Sequence, residues 1–272
     1  MNDKNGKTIL FLSFLLSILI VVVSCTGIFT PDFYVRETFN WQVQSVGQDM
    51  VDLIIVVPAL IISAILAYRG NYIAGLLWAG VIVYTIYTFI IYSFSVHFNR
   101  LFVIYCLTLG LSFYSLAWFI YSQIKKRLII TIDKHAVAKV TGIFFLVVSL
   151  LFYLLWLSEV VPAMINDTLP KGLTESGLVT NPVHVIDLSI FLPGIFITGV
   201  LVLKRKPAGF LFAIIILAFF ILMNITIGWL AFTMREKGLE SNLSVTMIMA
   251  ALSLISLVFL TWNIKNIKIK IA

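Results

Sequence analysis

Eight stretches of this chain each run for about twenty residues or more with almost no charge: roughly 8–27, 46–68, 72–96, 100–122, 138–161, 182–203, 208–232 and 243–264. A helix of that length covers a hydrocarbon core of about 30 Å. Only helices and closed barrels satisfy every backbone group in lipid. The strands of a barrel would alternate in polarity; these runs do not. The sequence therefore predicts an all-α polytopic membrane protein. Composition agrees: 61% of residues are hydrophobic and 11% charged, against about 25% charged in soluble domains. The net charge of +7 is then a matter of membrane orientation, and no nucleic-acid partner is expected.

Two of these stretches are copies of one another. Gly47 to Arg69 reads GQDMVDLIIVVPALIISAILAYR, and Asn181 to Lys204 reads NPVHVIDLSIFLPGIFITGVLVLK. Asp52-Leu53 precedes Pro58 as Asp187-Leu188 precedes Pro193, at an offset of 135 residues. Ser63 falls opposite Thr198 and Arg69 opposite Lys204, and Gly75-Leu-Leu-Trp-Ala then meets Gly209-Phe-Leu-Phe-Ala after the loss of one residue. An offset of half the chain is the mark of a tandem duplication. We expect two four-helix repeats, 1–124 and 140–272, joined by a linker at 125–139. An even number of spans per repeat makes the halves parallel, related by an axis along the membrane normal.

Orientation follows from Lys and Arg. With the N-terminus cytoplasmic, fourteen basic residues fall inside and five outside, while ten of the twelve acids fall outside. This is the positive-inside pattern of a plasma (inner) membrane protein with both termini cytoplasmic. The linker, KKRLIITIDKHAVAK, reads as an interfacial segment against anionic lipid. The first span could alternatively be a signal segment, since Val22-Val-Ser-Cys25 resembles a lipobox. Its counterpart at 140–161 argues for a retained helix. Cys25 and Cys106 fit no metal or redox motif.

Three constellations could carry chemistry. Ser45-Val-Gly-Gln48 has capping-box spacing, and Asn181-Pro182 is a cap followed by proline at the first helical position. Helices starting there would place Asp49 and Asp52 near the outer membrane boundary, with His184 and Asp187 at the matching places of the second copy. If the copies meet at the two-fold axis, three carboxylates and one imidazole converge, and Asp52 faces Asp187. Such a cluster would bind a cation or relay a proton; any metal would fall to Asp49, Asp52, His184 and Asp187. Helix-start acids interacting with the helix dipole would look the same.

The second constellation is a polar seam. Thr85, Thr88, Tyr92 and Ser95 match the spacing of Tyr105, Thr108, Ser112 and Ser115 on the next helix, with Tyr84 and Tyr87 widening the first stripe. Antiparallel neighbours can turn such stripes towards a shared cavity, or use them as interhelical glue. Tyr84, Thr88, Tyr92, Tyr105, Thr108 and Ser112 are the candidate ligand contacts. The third is His97-Phe-Asn-Arg100 at the outer turn of that seam. Pro58 and Pro193 each remove a helical hydrogen bond and predict a kink.

The function these features suggest is transporter-like, or small-molecule or cation binding, with an acidic outer vestibule. A membrane-embedded enzyme, with or without metal, is one alternative. A non-catalytic assembly or sensor subunit contacting a protein through the long outer loops 29–44 and 162–179 is another. No Walker, HExxH, GxSxG or dinucleotide motif is present, and no cofactor is indicated.

Reporter fusions test the topology. Fusions at Ile130 and at the C-terminus are expected to report a cytoplasmic location, and a fusion at Lys171 an external one. A cytoplasmic signal at Lys171 would contradict the orientation.

Overall fold

The computed structural model of the protein describes residues 3–125 and 128–271; Lys126 and Arg127 of the basic linker lie outside the described residues. The chain is nearly all helical. Eight helices are long and apolar enough to cross a bilayer: Asn5–Phe29, Phe39–Tyr68, Tyr72–Ser95, Phe102–Lys125, His135–Ile165, Pro182–Leu203, Pro207–Glu236 and Leu243–Asn266. This is the architecture of a multi-pass membrane protein.

The first span is α1 (Asp3–Phe29). The second is compound: α2 (Phe39–Val51), a π-helical segment (Asp52–Val56) and α3 (Val57–Tyr68). Then come α4 (Tyr72–Ser95) and α5 (Phe102–Lys125). After strand β1 (Leu128–Ile132), α6 (His135–Ile165) is the fifth span and α7 (Lys171–Ser176) a short surface helix. The sixth span is again compound: α8 (Pro182–Ile186), a π segment (Asp187–Phe191) and α9 (Leu192–Leu203). The chain ends with α10 (Pro207–Glu236), α11 (Leu243–Asn266) and strand β2 (Ile267–Ile271).

Each π segment has a local cause. A proline at position i has no N–H for the carbonyl at i−4, and its ring crowds that carbonyl. The helix widens by one residue ahead of each proline. The N–H of Val57 bonds Asp52 O, and that of Leu192 bonds Asp187 O, five residues back. Both widened turns begin at an aspartate. Such bulges recur at functional sites.

Two expectations are corrected here. Ser45 is not a helix start. Thr38 caps α2, its hydroxyl accepting from Trp41 N at 3.3 Å, and Ser45 lies inside the helix with its hydroxyl on Trp41 O. The stretch before Gly47 is too polar for a hydropathy window, yet it is helical. Asp49 is therefore ten residues into its helix, roughly 15 Å from its start at 1.5 Å per residue. Asn181 does cap α8, accepting from Val183 N at 2.9 Å.

The linker is the second correction. Its LIITI segment is β1, which pairs antiparallel with β2 of the C-terminus, Ile130 opposite Ile269 and Ile132 opposite Ile267. The cause is a β-branched run meeting an Ile-Lys alternation. Ile130 and Ile132 are buried. Arg205, at the α9–α10 turn, donates to Ile132 O at 2.7 Å, and Lys268 pairs with Asp133. This ribbon marks one face of the bundle, the ribbon face; the opposite face carries residues 30–38, 96–101, 166–181 and 237–242.

Packing centres on α4 and α10. The helix α4 lies against α3, α5 and α10, and is the most buried of the eight spans. In turn α10 touches α2, α4, α9 and α11. The two cross at Gly80, where an added Cβ would lie 2.6 Å from Ala218 Cβ and 2.7 Å from Ile215 O. Lipid gives helices no hydrophobic drive to associate, so close approach at small residues supplies the attraction.

Gly80→Leu is expected to force α4 and α10 apart and to lower stability by about 1–3 kcal/mol. Thermal unfolding in detergent, followed by tryptophan fluorescence, reads this. An unchanged midpoint would contradict the crossing.

Candidate functional site: three carboxyls around α4 and an acidic cavity

Carboxyl groups inside a membrane protein must find donors, because water cannot supply them. One helix does most of this here. Tyr92 of α4 donates to Asp49 Oδ1 at 2.7 Å, Tyr84 lies 3.3 Å from Asp52 Oδ1, and Tyr87 donates to Asp187 Oδ1 at 3.1 Å. The phenols fall on successive turns of α4, and the acids come from the two compound spans on either side of it.

The three environments differ. Asp49 is fully buried, and both its oxygens are occupied: Tyr34 donates to Oδ2 at 2.7 Å. A Cβ at Gly27 would lie 1.8 Å from that oxygen, so α1 must offer a glycine there. Burial, with the Asp49 carboxyl beside it, holds the Tyr34 phenol well above its ordinary pKa, so it stays a donor. Asp52 is also buried. Gln48 Nε2 donates to its Oδ1 at 3.0 Å and to Tyr84 OH at 2.7 Å. Its Oδ2 has no partner. Asp187 is only half-buried, with Oδ2 accepting from Trp156 Nε1 at 2.9 Å.

Asp49 and Asp52 point different ways because three helical residues fall roughly 60° short of a full turn. The four groups Asp49, Asp52, His184 and Asp187 do not converge. Among the described residues no group of three or more His, Cys, Asp or Glu is placed to hold a metal ion. His184 packs at a tilt of 46° against Trp156 with centroids 4.6 Å apart, and its Nε2 lies 3.6 Å from Glu159 Oε2. Asp52 and Asp187 share no hydrogen-bond partner; each has its own α4 tyrosine.

A cavity of about 430 Å³ lies between α2, α4, α6, α8–α9, α10 and α11. Its wall is mainly apolar and aromatic, with Phe152, Phe191, Phe219 and Phe220 prominent. Among the described residues two carboxylates line it, Glu175 and Asp187, and no Lys, Arg or His does. Gln48, Tyr87, Thr88, Asn224, Thr226 and Ser256 add neutral polar groups. Of the polar seam only Tyr87 and Thr88 reach it. Tyr92 and Tyr105 pack together at 5.2 Å beside Asp49, and Thr108 bonds Ile104 O at 2.8 Å. Ser112 is buried with no hydrogen-bond partner, outside the cavity lining. Cys25 and Cys106 are free thiols.

Sequence reasoning missed Trp156 and Tyr34, which meet the acids from other parts of the chain and leave no spacing signal, and it did not connect Thr226 with Tyr84. Gln48 has the spacing of a cap residue but serves Asp52 instead, and Tyr87 stands beside the stripe. Glu37 also escaped notice. That buried carboxylate accepts from the backbone N of His97 at 2.7 Å and bonds its Nδ1 at 2.8 Å, pinning the α4–α5 turn to the loop after α1.

The cavity is capped by α7, whose Gly172, Glu175 and Ser176 line its end. Thr38 Oγ1 donates to Ser176 O at 3.0 Å. Gly177, at φ 69°, ends α7 where an added Cβ would lie 2.6 Å from Thr38 Cγ2. Lys171 Nζ reaches Glu240 at 2.6 Å on the α10–α11 turn. The pairing lowers the Glu240 pKa and raises that of Lys171. The depressed carboxyl contributes above its unfolded pKa, and that contribution is lost as pH falls through its folded value. The raised amine contributes below its unfolded pKa and loses that contribution at high pH. Salt screens both, because the pair is exposed. Limited proteolysis between 166 and 181 is therefore expected to quicken in high salt and at acid pH, and in Glu240→Gln at neutral pH. Equal cleavage under all these conditions would contradict a tethered cap.

No protein-family model matches the chain, and no curated protein or solved structure matches it significantly.

Proposed function

We propose that the protein binds a small amphipathic cation within the bilayer, as a transporter-like or binding protein of the plasma membrane. The observation that carries this is the cavity wall: Asp187 inside it, Glu175 at its α7 end paired with Lys171 at 3.4 Å, and no basic lining residue among the described residues, in a mainly apolar enclosure. Its volume lies within the range of about 300–1,000 Å³ usual for small-molecule sites. An apolar body would meet the phenylalanines. A cationic or donor end would meet Asp187, which Tyr87 and Trp156 orient. The neutral polar groups Thr88, Asn224 and Thr226 would set its register. Asp52 stands behind Gln48, outside the cavity lining.

The reading includes a tandem duplication with both termini cytoplasmic. Supporting it, both compound spans carry a π segment that opens at an aspartate and leads into a proline-bearing helix. Neighbour relations also repeat: α1 with α3, α3 with α4 and α4 with α5 match α6 with α9, α9 with α10 and α10 with α11. The contact of α2 with α10 matches that of α8 with α4. The two-fold axis then passes where α4 meets α10. The halves differ in filling. In the first, Trp78 occupies the interior, donating to Ser13 at 2.7 Å and packed 5.6 Å from Phe119. In the second, the cavity takes that place.

Two measurements check the reading. In a background lacking Cys25 and Cys106, single cysteines at Thr88, Asn224 and Ser256 are expected to react with a small maleimide, and cysteines at Tyr92 and Ser112 to stay protected. Equal reactivity of both sets would contradict the cavity. Binding of the lipophilic cation tetraphenylphosphonium is expected to weaken about tenfold or more in Asp187→Asn, since unit charges a few ångströms apart at an effective dielectric of about 20 attract by roughly 2–4 kcal/mol. Unchanged binding would remove Asp187 from the site.

A further inference from the structure

Tyr84 has one hydroxyl proton and two acceptors. Thr226 Oγ1 is 2.7 Å away and Asp52 Oδ1 is 3.3 Å away. Thr226 in turn lies 2.9 Å from Leu222 O, a carbonyl that can only accept. The threonine hydrogen is therefore committed to Leu222, and the tyrosine hydrogen to Thr226. Gln48 divides its amide between Tyr84 and Asp52. What remains for Asp52 is one N–H of Gln48 on Oδ1 and nothing on Oδ2. A carboxylate so poorly supplied, sealed from water, has no compensation for its charge. A carboxylic acid in the same place donates to Tyr84 oxygen and needs none.

The surroundings supply no counter-charge. On its own helix the titratable neighbour is Asp49, and on α4 they are Tyr84 and Tyr92. The helix α10 presents Thr226. Between Thr8 and Phe29, α1 holds no Asp, Glu, His, Lys or Arg. Asp49 has a donor on each oxygen, and a charge held there opposes a second one on Asp52. Asp187 is likewise served on both oxygens and opens to the cavity.

We infer that Asp52 is a proton-binding site connected to the cavity through Tyr84 and Thr226. In the loaded state the order is Asp52–H to Tyr84 O, Tyr84–H to Thr226 O. For release, the Thr226 hydrogen turns from Leu222 to a base in the cavity, either water or a ligand amine. The O–H of Thr226 breaks as that base is protonated, the Tyr84 hydrogen passes to Thr226, and the Asp52 hydrogen passes to Tyr84. One proton has left, and Asp52 remains as a carboxylate now receiving the Tyr84 hydrogen. Gln48 and Thr226 line the cavity, so an occupant touching either one biases this hydrogen-bond order. Only that coupling rests on the binding reading; the proton site itself stands on hydrogen-bond geometry.

Infrared spectroscopy of the full chain in lipid nanodiscs tests it. At neutral pH a protonated-carboxyl C=O band is expected that shifts in D₂O, disappears in Asp52→Asn and persists in Asp187→Asn. Thr226→Val leaves Tyr84 only Asp52 to donate to, so the band is expected to weaken. Tyr84→Phe keeps the ring but removes the donor that stabilises the carboxylate, so the band is expected to persist at higher pH than in the parent protein. Absence of a band that depends on Asp52 overturns the proton site. A band that Asp52→Asn removes but Thr226→Val and Tyr84→Phe leave unchanged overturns the connection to the cavity. Failure of the cavity as a binding chamber would show in the thiol labelling and leave these spectra unaltered.

Discussion

Everything in the interior depends on how carboxyl groups are matched with donors where no water can serve them. The chain puts Asp49, Asp52 and Asp187 on its two compound spans, and α4 answers with Tyr92, Tyr84 and Tyr87. A phenol suits this role because it donates one hydrogen bond, carries no charge, and brings a ring that packs. For α4 to serve both sides it must lie at the centre, buried between α3, α5 and α10. Gly80 lets α10 come close enough to close that centre. The same closeness brings Thr226 within 2.7 Å of Tyr84.

Spans, prolines and acids were legible because each leaves a local mark. A twenty-residue apolar run has one physical use, and an aspartate within such a run is costly enough to stand out. The paired Asp-Leu before Pro58 and Pro193 located both π segments, although the kink itself resolves as a widened turn. Contacts between helices were not legible. Trp156 on α6 meets Asp187 and Thr226 on α10 meets Tyr84, and no spacing connects them. The roles of Ser45 and Gln48 were hidden because α2 begins in a polar stretch that hydropathy discounts. The ribbon was hidden because the LIITI run finds its partner, the Ile-Lys alternation of 267–271, only at the far end of the chain.

Trp78 fills the interior beside α1, while beside α6 there is an aromatic-walled space lined by a carboxylate. The helices α6 and α11 meet near the ribbon face, where Asn263 bonds Thr141 at 2.8 Å and Phe144 stacks on Phe259 at 4.4 Å. Towards the other face the cavity lies between them, under α7. A ligand with an apolar body and a cationic end would meet both kinds of wall, the phenylalanines and Asp187.

The central claim is that this cavity holds an amphipathic cation at Asp187. Native mass spectrometry of the protein released from lipid nanodiscs, with tetraphenylphosphonium present, tests it most directly. The account predicts one bound cation per chain in the parent protein and its loss in Asp187→Asn, with bound lipids unchanged. The same cation occupancy in both proteins, or none in either, would contradict it.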